Sequence, residues 1–305
     1  MELHQLQILR ELGTLGSVTA VADALAVTPS AVSQQLAALQ RSFPTPLTRR
    51  VGRTLALTPA GEVLAAAGSE AIDAMAAARH ALDEFEGAAT GVVTISGFHS
   101  VGQALFGPLL RELSQLSDSP TVQLTDEDVA QSEFPALTAR YDLVLAHRME
   151  HTEPWPTHGV RSLTLVREPL DVALSRSHPL ATRTSLTPAE VAAERWATSR
   201  IGYSPDDVLR AVSAVANRPI EILHRLNDYG AVSAVVAAGG VLGMLPRFTS
   251  RSVDDREIVR LPLTGVSTHR MIDLLARPEN LRRRSVRVVV DALRRVMTRL
   301  SDDGS

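Results

Sequence analysis

Ser17-Val18-Thr19-Ala20-Val21-Ala22-Asp23-Ala24-Leu25-Ala26-Val27-Thr28-Pro29-Ser30-Ala31-Val32-Ser33-Gln34-Gln35-Leu36 is the stretch on which the reading of this chain turns. Ser17 can cap a short helix whose apolar residues are Ala20, Val21, Ala24 and Leu25. Thr28-Pro29 repeats the start signal, a capping hydroxyl followed by proline at the first helical position, where its missing N–H costs nothing. On the helix that begins there, Val32, Leu36 and Leu39 fall at i, i+4 and i+7 and point inward. Ser30, Ser33, Gln34, Ala37 and Arg41 lie largely on the other side. That outer face is small, polar and free of negative charge. The major groove admits a helix whose side chains are compact and can hydrogen-bond base edges, so this face suits a recognition helix. Gln34 can pair bidentately with adenine, and the serines can serve bases or phosphates.

Working outward, Leu3, Leu6, Leu9 and Leu12, with Ile8 beside them, predict an amphipathic first helix that Gly13 and Gly16 break. Phe43-Pro44-Thr45-Pro46 ends the third helix, and Arg49 to Leu57 reads as a hairpin turning at Gly52-Arg53. A two-stranded wing beside such a helix pair lies along the DNA backbone or minor groove, where Arg50 and Arg53 are favoured by charge and by the flat guanidinium. From Thr58-Pro59 a helical pattern runs to about Phe85, roughly 40 Å at the rise of an α-helix. Ala71, Met75, Ala78, Leu82 and Phe85 alternate steps of four and three, the repeat of a coiled-coil seam, and predict dimerisation.

Composition bounds the function. A chain of 305 residues carries two or three units, and 45% hydrophobic with 21% charged residues is ordinary globular usage. No apolar run reaches the roughly 18 to 20 residues of a membrane helix, and the start lacks a signal peptide, so a cytoplasmic, nucleoid-associated protein with no membrane partner is expected. The absence of cysteine excludes disulfides, thiolate metal sites and thiol catalysis. All 31 basic residues are Arg and the net charge is -3, but between Asp23 and Glu62 there is no acid while Arg41, Arg49, Arg50 and Arg53 all fall there. A basic island in an acidic chain is the footprint of a DNA-binding module carried by a larger domain.

Beyond the small-residue break Gly87-Ala88-Ala89-Thr90-Gly91, strands and helices alternate. Strands are predicted at 92–96, 122–125, 143–146, 163–166, 172–174 and 241–245, and helices at 105–116, 188–194, 207–215, 230–238 and 285–300. The alternation implies an α/β domain with mostly parallel strands. Gly239-Gly240 and Gly243 follow a helix and enter a strand, the reverse of a phosphate loop, so they read as a helix C-cap. None of the nine histidines has a ligand spacing such as H-E-x-x-H, and there is no G-x-S-x-G elbow. No metal, no cofactor and no enzymatic chemistry are expected; His147, His151 and His158 read as pocket rim or surface.

Together these residues resemble the LysR-type transcriptional regulators over essentially the whole chain. Residues 17–36 match that family's helix-turn-helix, and Leu55-Ala56-Leu57-Thr58-Pro59-Ala60-Gly61 matches the end of its wing and the start of its linker helix. Ser175-Arg176-Ser177-His178-Pro179-Leu180 and Ala238-Gly239-Gly240-Val241-Leu242-Gly243-Met244-Leu245-Pro246 look like segments of its second lobe. Thr48, where the family often has an aromatic residue, and the stiff Pro44 and Pro46 depart from its wing. The resemblance implies an N-terminal all-α winged helix-turn-helix with a long linker helix, then an α/β two-lobed effector domain similar to periplasmic binding proteins.

The expected domains are 1–58 for DNA binding, 59–88 for the linker and 91–300 for the effector domain, with 301–305 as a flexible tail. Lobe 1 would hold about 91–160 and 265–300, and lobe 2 about 161–264. Ser17, Thr28, Pro29, Ser30, Ser33, Gln34, Ala37, Arg50 and Arg53 would meet double-stranded promoter DNA. The family's pocket positions fall here on Phe98, His99, Ser100 and Val101, on Thr125, Asp126 and Asp128, on His147 and Arg148, on Ser199 and Tyr203, and on Asn227 and Asp228. The acids suit a cation and Ser100 with Arg148 a carboxylate, so an amino acid or carboxylate is the expected effector. A homodimer or homotetramer, in contact with RNA polymerase, completes the expected partners. Two readings stand beside this one: a binding protein or enzyme with an accessory N-terminal module, and a constitutive architectural DNA binder.

Overall fold

The computed structural model describes residues 1–52, 54–86, 91–156, 159–250 and 256–303, with residues 80 and 83–86 described by backbone alone. The head opens with α1 (Leu3–Leu15), α2 (Val18–Ala24) and α3 (Pro29–Gln40). Leu9 and Leu12 of α1, Val21 of α2 and Val32 with Leu39 of α3 close a small core, each at most 1% exposed. Ser17 and Thr28 cap their helices through the N–H groups of Ala20 and Ala31 at 3.0 and 3.2 Å. The strands β1 (Thr48–Val51) and β2 (Thr54–Leu57) form the antiparallel wing, Thr48 opposite Leu57. The proline loop before the wing has few N–H groups of its own, and the Gln40 amide supplies its bonds, donating to Phe43 O and Thr45 O and accepting from Leu47 N at 2.8 Å.

The linker helix α4 (Pro59–Glu86) lies against the head. Gly61 allows the approach: a Cβ there would stand 2.0 Å from the Leu47 carbonyl oxygen. On the opposite side Val63, Ala67, Ala71, Met75, Ala78 and Leu82 are exposed, an apolar stripe at coiled-coil spacing.

The effector domain is built on one curled nine-stranded sheet. Its first half holds β3 (Val92–Gly97), β4 (Thr121–Asp126), β5 (Leu143–Met149) and β11 (His269–Ala276). The helices α5 (His99–Leu113) and α11 (Arg284–Asp302) cover it through Leu105, Leu109, Val289 and Leu293. The short helices α6 (Phe134–Leu137) and α10 (Pro278–Arg282) complete this lobe. The second half holds β7 (Arg195–Thr198), β8 (Glu221–Arg225), β9 (Leu242–Pro246) and β10 (Ile258–Leu261), packed with α7 (Pro188–Val191), α8 (Ser204–Ala216) and α9 (Tyr229–Ala237).

The long strand β6 (Arg161–Ser175) joins the halves. Its residues to Pro169 pair with β11, and from Leu170 onward it pairs with β9 and β10. The chain therefore leaves the first lobe at Pro169–Leu170 rather than near Val160, and the two strands expected at 163–166 and 172–174 are one. The sheet is also mixed rather than mostly parallel: β3–β4, β3–β5, β7–β8 and β7–β9 are parallel, but β6 and β11 run antiparallel to their neighbours. The reason is that these two strands carry the chain across and back between lobes. Ser301 and Asp302, expected in a flexible tail, form the last turn of α11. Among the described residues no helix is long and apolar enough to cross a membrane.

Head and effector domain meet through buried charges. Arg277 donates to Glu11 Oε2 at 2.6 Å and to Gly159 O at 3.0 Å, and Arg10 pairs with Glu11 at 2.9 Å and Glu279 at 2.8 Å. Glu11 is 1% and Arg277 2% exposed. At the rim, Arg282 makes a bidentate pair with Asp73 of α4 at 2.6 and 2.7 Å.

Candidate functional site

The first candidate surface is the outer side of α3. Pro29, Ser30, Ser33, Gln34 and Ala37 are all exposed there, while Val32, Leu36 and Leu39 hold the other side in the core. Two of the expected hydroxyls already have local bonds: Thr28 Oγ1 caps the helix, and Ser33 Oγ donates to Pro29 O at 2.9 Å. Ser17 likewise spends an oxygen lone pair on its cap. These three keep part of their bonding capacity, but their first effect is to hold the helices. Arg50 is exposed on β1, beside Arg49; Arg53 lies outside the described residues.

The second is the cleft between the lobes. It narrows to a cavity of about 20 Å³, little more than a single water needs. Phe98, His99, Ser100 and Asp128 reach it from the first lobe with His147, and Ser199, Tyr203 and Asn227 from the second. Three further lining residues escaped the sequence reading: Ser204, Tyr229 and Arg270. Arg270 had one available signal, a charge in the mainly apolar strand β11, which also carries Asp273.

Five expected residues stand off the cavity. Val101 is fully buried in the first lobe's core, Thr125 lies on β4, and Asp126 and Asp228 hold His99. Arg148 is turned away: its Nε donates to Asp273 Oδ2 at 3.1 Å, an acid that also accepts from Trp155 and Thr164. Alternation along β5 puts the side chains of His147 and Arg148 on opposite faces, so only one of the two can face the cleft.

The floor of the cleft is an electrically closed unit. Arg270, 1% exposed, donates from Nε to Glu168 Oε2 at 2.9 Å and from Nη2 to Thr249 Oγ1 at 2.7 Å and Ser100 Oγ at 3.3 Å. Glu168 also accepts from the N–H groups of Phe248 and Thr249. Buried charges persist when paired and hydrogen-bonded in this way. Beside it His147 packs edge-on against Phe98 and Phe134, with ring centroids 4.7 and 5.2 Å away. Burial, aided by the Arg270 charge, brings its pKa down to about 3, so the ring is neutral and its Nδ1 meets Ser204 Oγ at 3.1 Å.

The mouth is different. His99, at the start of α5, places Nδ1 3.1 Å from Asp126 of its own lobe and Nε2 2.7 Å from Asp228 of the other. Both partners raise its pKa above the ordinary value, Asp126 most, against an opposing contribution from burial. Asn227 Nδ2 donates to Asp128 Oδ2 at 3.0 Å, and Tyr203 Oη to Asp128 O at 3.2 Å. The lobes are thus clasped by polar bonds between their own side chains and to the Asp128 carbonyl. Among the described residues no group of three or more His, Asp or Glu side chains is arranged to hold a metal ion.

Comparison with known proteins covers both surfaces. Residues 3–62 match the model of the bacterial regulatory helix-turn-helix protein, lysR family, and residues 86–298 that of the LysR substrate binding domain. The transcriptional regulator YybE of Bacillus subtilis is 24% identical over 274 residues, 90% of this chain and 91% of that one. Among solved structures, full-length OxyR from Pseudomonas aeruginosa superposes with a TM-score of 0.66 at 16% identity, covering 96% of this chain and 95% of that one. CbnR in complex with its target DNA gives 0.51 at 20% identity, covering 97% and 100%.

Proposed function

The chain belongs to the LysR family of bacterial transcriptional regulators, and from that premise we propose which surfaces read DNA, pair protomers and take the effector. The observation that carries the proposal is the exposed, acid-free outer face of α3 with Arg50 on the wing beside it. Gln34 and Ser30 of that face read bases in the major groove, and the wing arginines meet the backbone or minor groove. Two such heads are joined through the exposed stripe of α4, Ala71, Met75, Ala78 and Leu82, and the helix residue Phe85 continues its spacing. The apolar groove formed by Phe43, Pro44, Leu47, Val63 and Ala67 borders the same stripe and widens the surface a second copy can cover. A dimer places two heads on two half-sites, and their linkage multiplies the affinity of one.

The effector enters between the lobes. It is a small polar metabolite, an amino acid or another carboxylate, and it exchanges the inter-lobe bonds at Asp128 and His99 for bonds to itself, changing the angle between the lobes. Ser100, in the first turn of α5, is the place for a carboxylate, because unpaired N–H groups and the helix dipole favour an anion there.

Retention of a fragment of the gene's own promoter in a gel-shift assay tests the DNA assignment. Gln34→Ala is expected to reduce the preference for that fragment over random DNA by about 1–3 kcal/mol. An equal loss on both DNAs would remove Gln34 as a base reader. Turnover of a metabolite by the purified chain would instead favour an enzyme.

A further inference from the structure

We propose that the ligand taken by the inter-lobe cleft must carry an ammonium group, held by Asp126 and Asp228 where the His99 ring now bridges the lobes. The inference rests on the reading of the cleft as the effector site and decides between its two alternatives. An amino acid or amine fits, whereas a carboxylic acid without an amine does not.

The case is a balance of charges. Three carboxylates, Asp126, Asp128 and Asp228, gather at the mouth from both lobes. The Arg270 guanidinium on the floor is already matched by Glu168 at 2.8 Å, and the imidazole of His147 is neutral. Arg148 is spent on Asp273, on the other face of β5. Arg200 stays exposed, its backbone N–H bonded to Asn227. The group that stands between the acids is His99, and an imidazole donates from both nitrogens only when protonated. The protein thus places a cation of its own between Asp126 and Asp228, and a ligand that takes over that position has to bring an equivalent charge and N–H donors.

A second observation is independent of the acids. Ser199, on the same cavity wall, is 4% exposed, and its Oγ has no hydrogen-bond partner among the described residues. A buried hydroxyl left unpaired is costly, and it marks a place where a bonding group is wanted. Its oxygen can accept from an N–H and its proton can be given to an acceptor, so it suits a ligand bearing an amine. The cavity at about 20 Å³ is too small for any such ligand as it stands. Entry therefore requires the bridge between the lobes to open, which is the bond an ammonium replaces.

The test uses the full-length chain and three matched panels: amino acids, the same compounds without the amino group, and the same compounds without the carboxylate. Thermal shift followed by calorimetry is expected to show binding in the first or third panel and none in the second. Asp228→Asn and Asp126→Asn are each expected to weaken the hit at least tenfold, with the urea unfolding midpoint of the free protein little changed, because Asn preserves the cap of α9 and the ion pairs lost with His99 are solvent-exposed. A deaminated acid binding as tightly as its amino acid, or Asn variants that keep full affinity, would overturn the ammonium anchor while leaving the cleft as the effector site. A hit whose affinity survives Ser199→Trp, which fills the cavity, would instead move the site elsewhere. No binding in any panel overturns the proposal outright.

Discussion

At the junction of head and effector domain, Arg10, Glu11 and Arg277 are buried, with the half-buried Glu279 completing the charge match, whereas at the mouth of the cleft His99, Asp126 and Asp228 keep 39–54% of their side chains exposed. Both clusters join parts of the molecule that are remote in sequence. The junction can be broken only by leaving a charge stranded in a dry place. The cleft can be opened by water, a proton or a competing cation. Burial therefore separates a fixed joint from an adjustable one.

Glu11→Leu attacks the fixed joint and should have the largest effect, a loss of about 3–5 kcal/mol in urea unfolding of the full chain, because Arg277 is left buried without its carboxylate. The double variant Glu11→Leu with Arg277→Leu should recover much of it. A single-variant loss below about 1 kcal/mol would show the joint to be as soft as the cleft.

His147 extends the comparison to the cleft floor. Its pKa is about 3 in the fold and near 6.5 once unfolded, so the unfolded chain binds the extra proton. Stability should therefore fall as pH drops below about 6.5, by about 1.4 kcal/mol per pH unit from this group, until about pH 3. His147→Phe should flatten that slope, and an unchanged slope would place the acid sensitivity elsewhere.

His99 has the opposite sign. Its raised pKa means that the clasp is fully present below about 6.5 and is lost as pH rises through the elevated value. The charged groups facing it are Asp126 of β4 and Asp228, the cap of α9, with the Gln103 amide 3.0 Å away on α5. Distances between spin labels on the two lobes should lengthen on alkalinisation in the wild type and show no such transition in His99→Gln. A transition that persists in the variant would assign the opening to another group.

The smallest effect is expected at the rim of the junction. Asp73→Asn removes a bidentate partner of Arg282, but both side chains are partly exposed, so unfolding should shift by no more than about 1 kcal/mol. A loss as large as that of Glu11→Leu would erase the distinction between buried and solvated pairs.

The sequence by itself determined the head, the linker helix and the family. Their signals are local: Ser17 and Thr28-Pro29 start helices, Val32, Leu36 and Leu39 repeat at helical spacing, and Ala71, Met75, Ala78 and Leu82 recur at the spacing of a coiled-coil seam. It also pointed to Phe98, His99, Ser100, Asp128, His147, Ser199, Tyr203 and Asn227, which the structure gathers at one cavity. The tertiary structure alone decided what neutralises what. Arg270 meets Glu168 across 102 positions, His99 meets Asp228 across 129, and Arg277 meets Glu11 across 266. It also turned Arg148 out of the cleft and moved the lobe crossing to Pro169. Periodicity and capping act over a few residues of backbone, so they are written in the chain. Ion pairs and shared cavities depend on which distant segments fold together, and no local pattern encodes them.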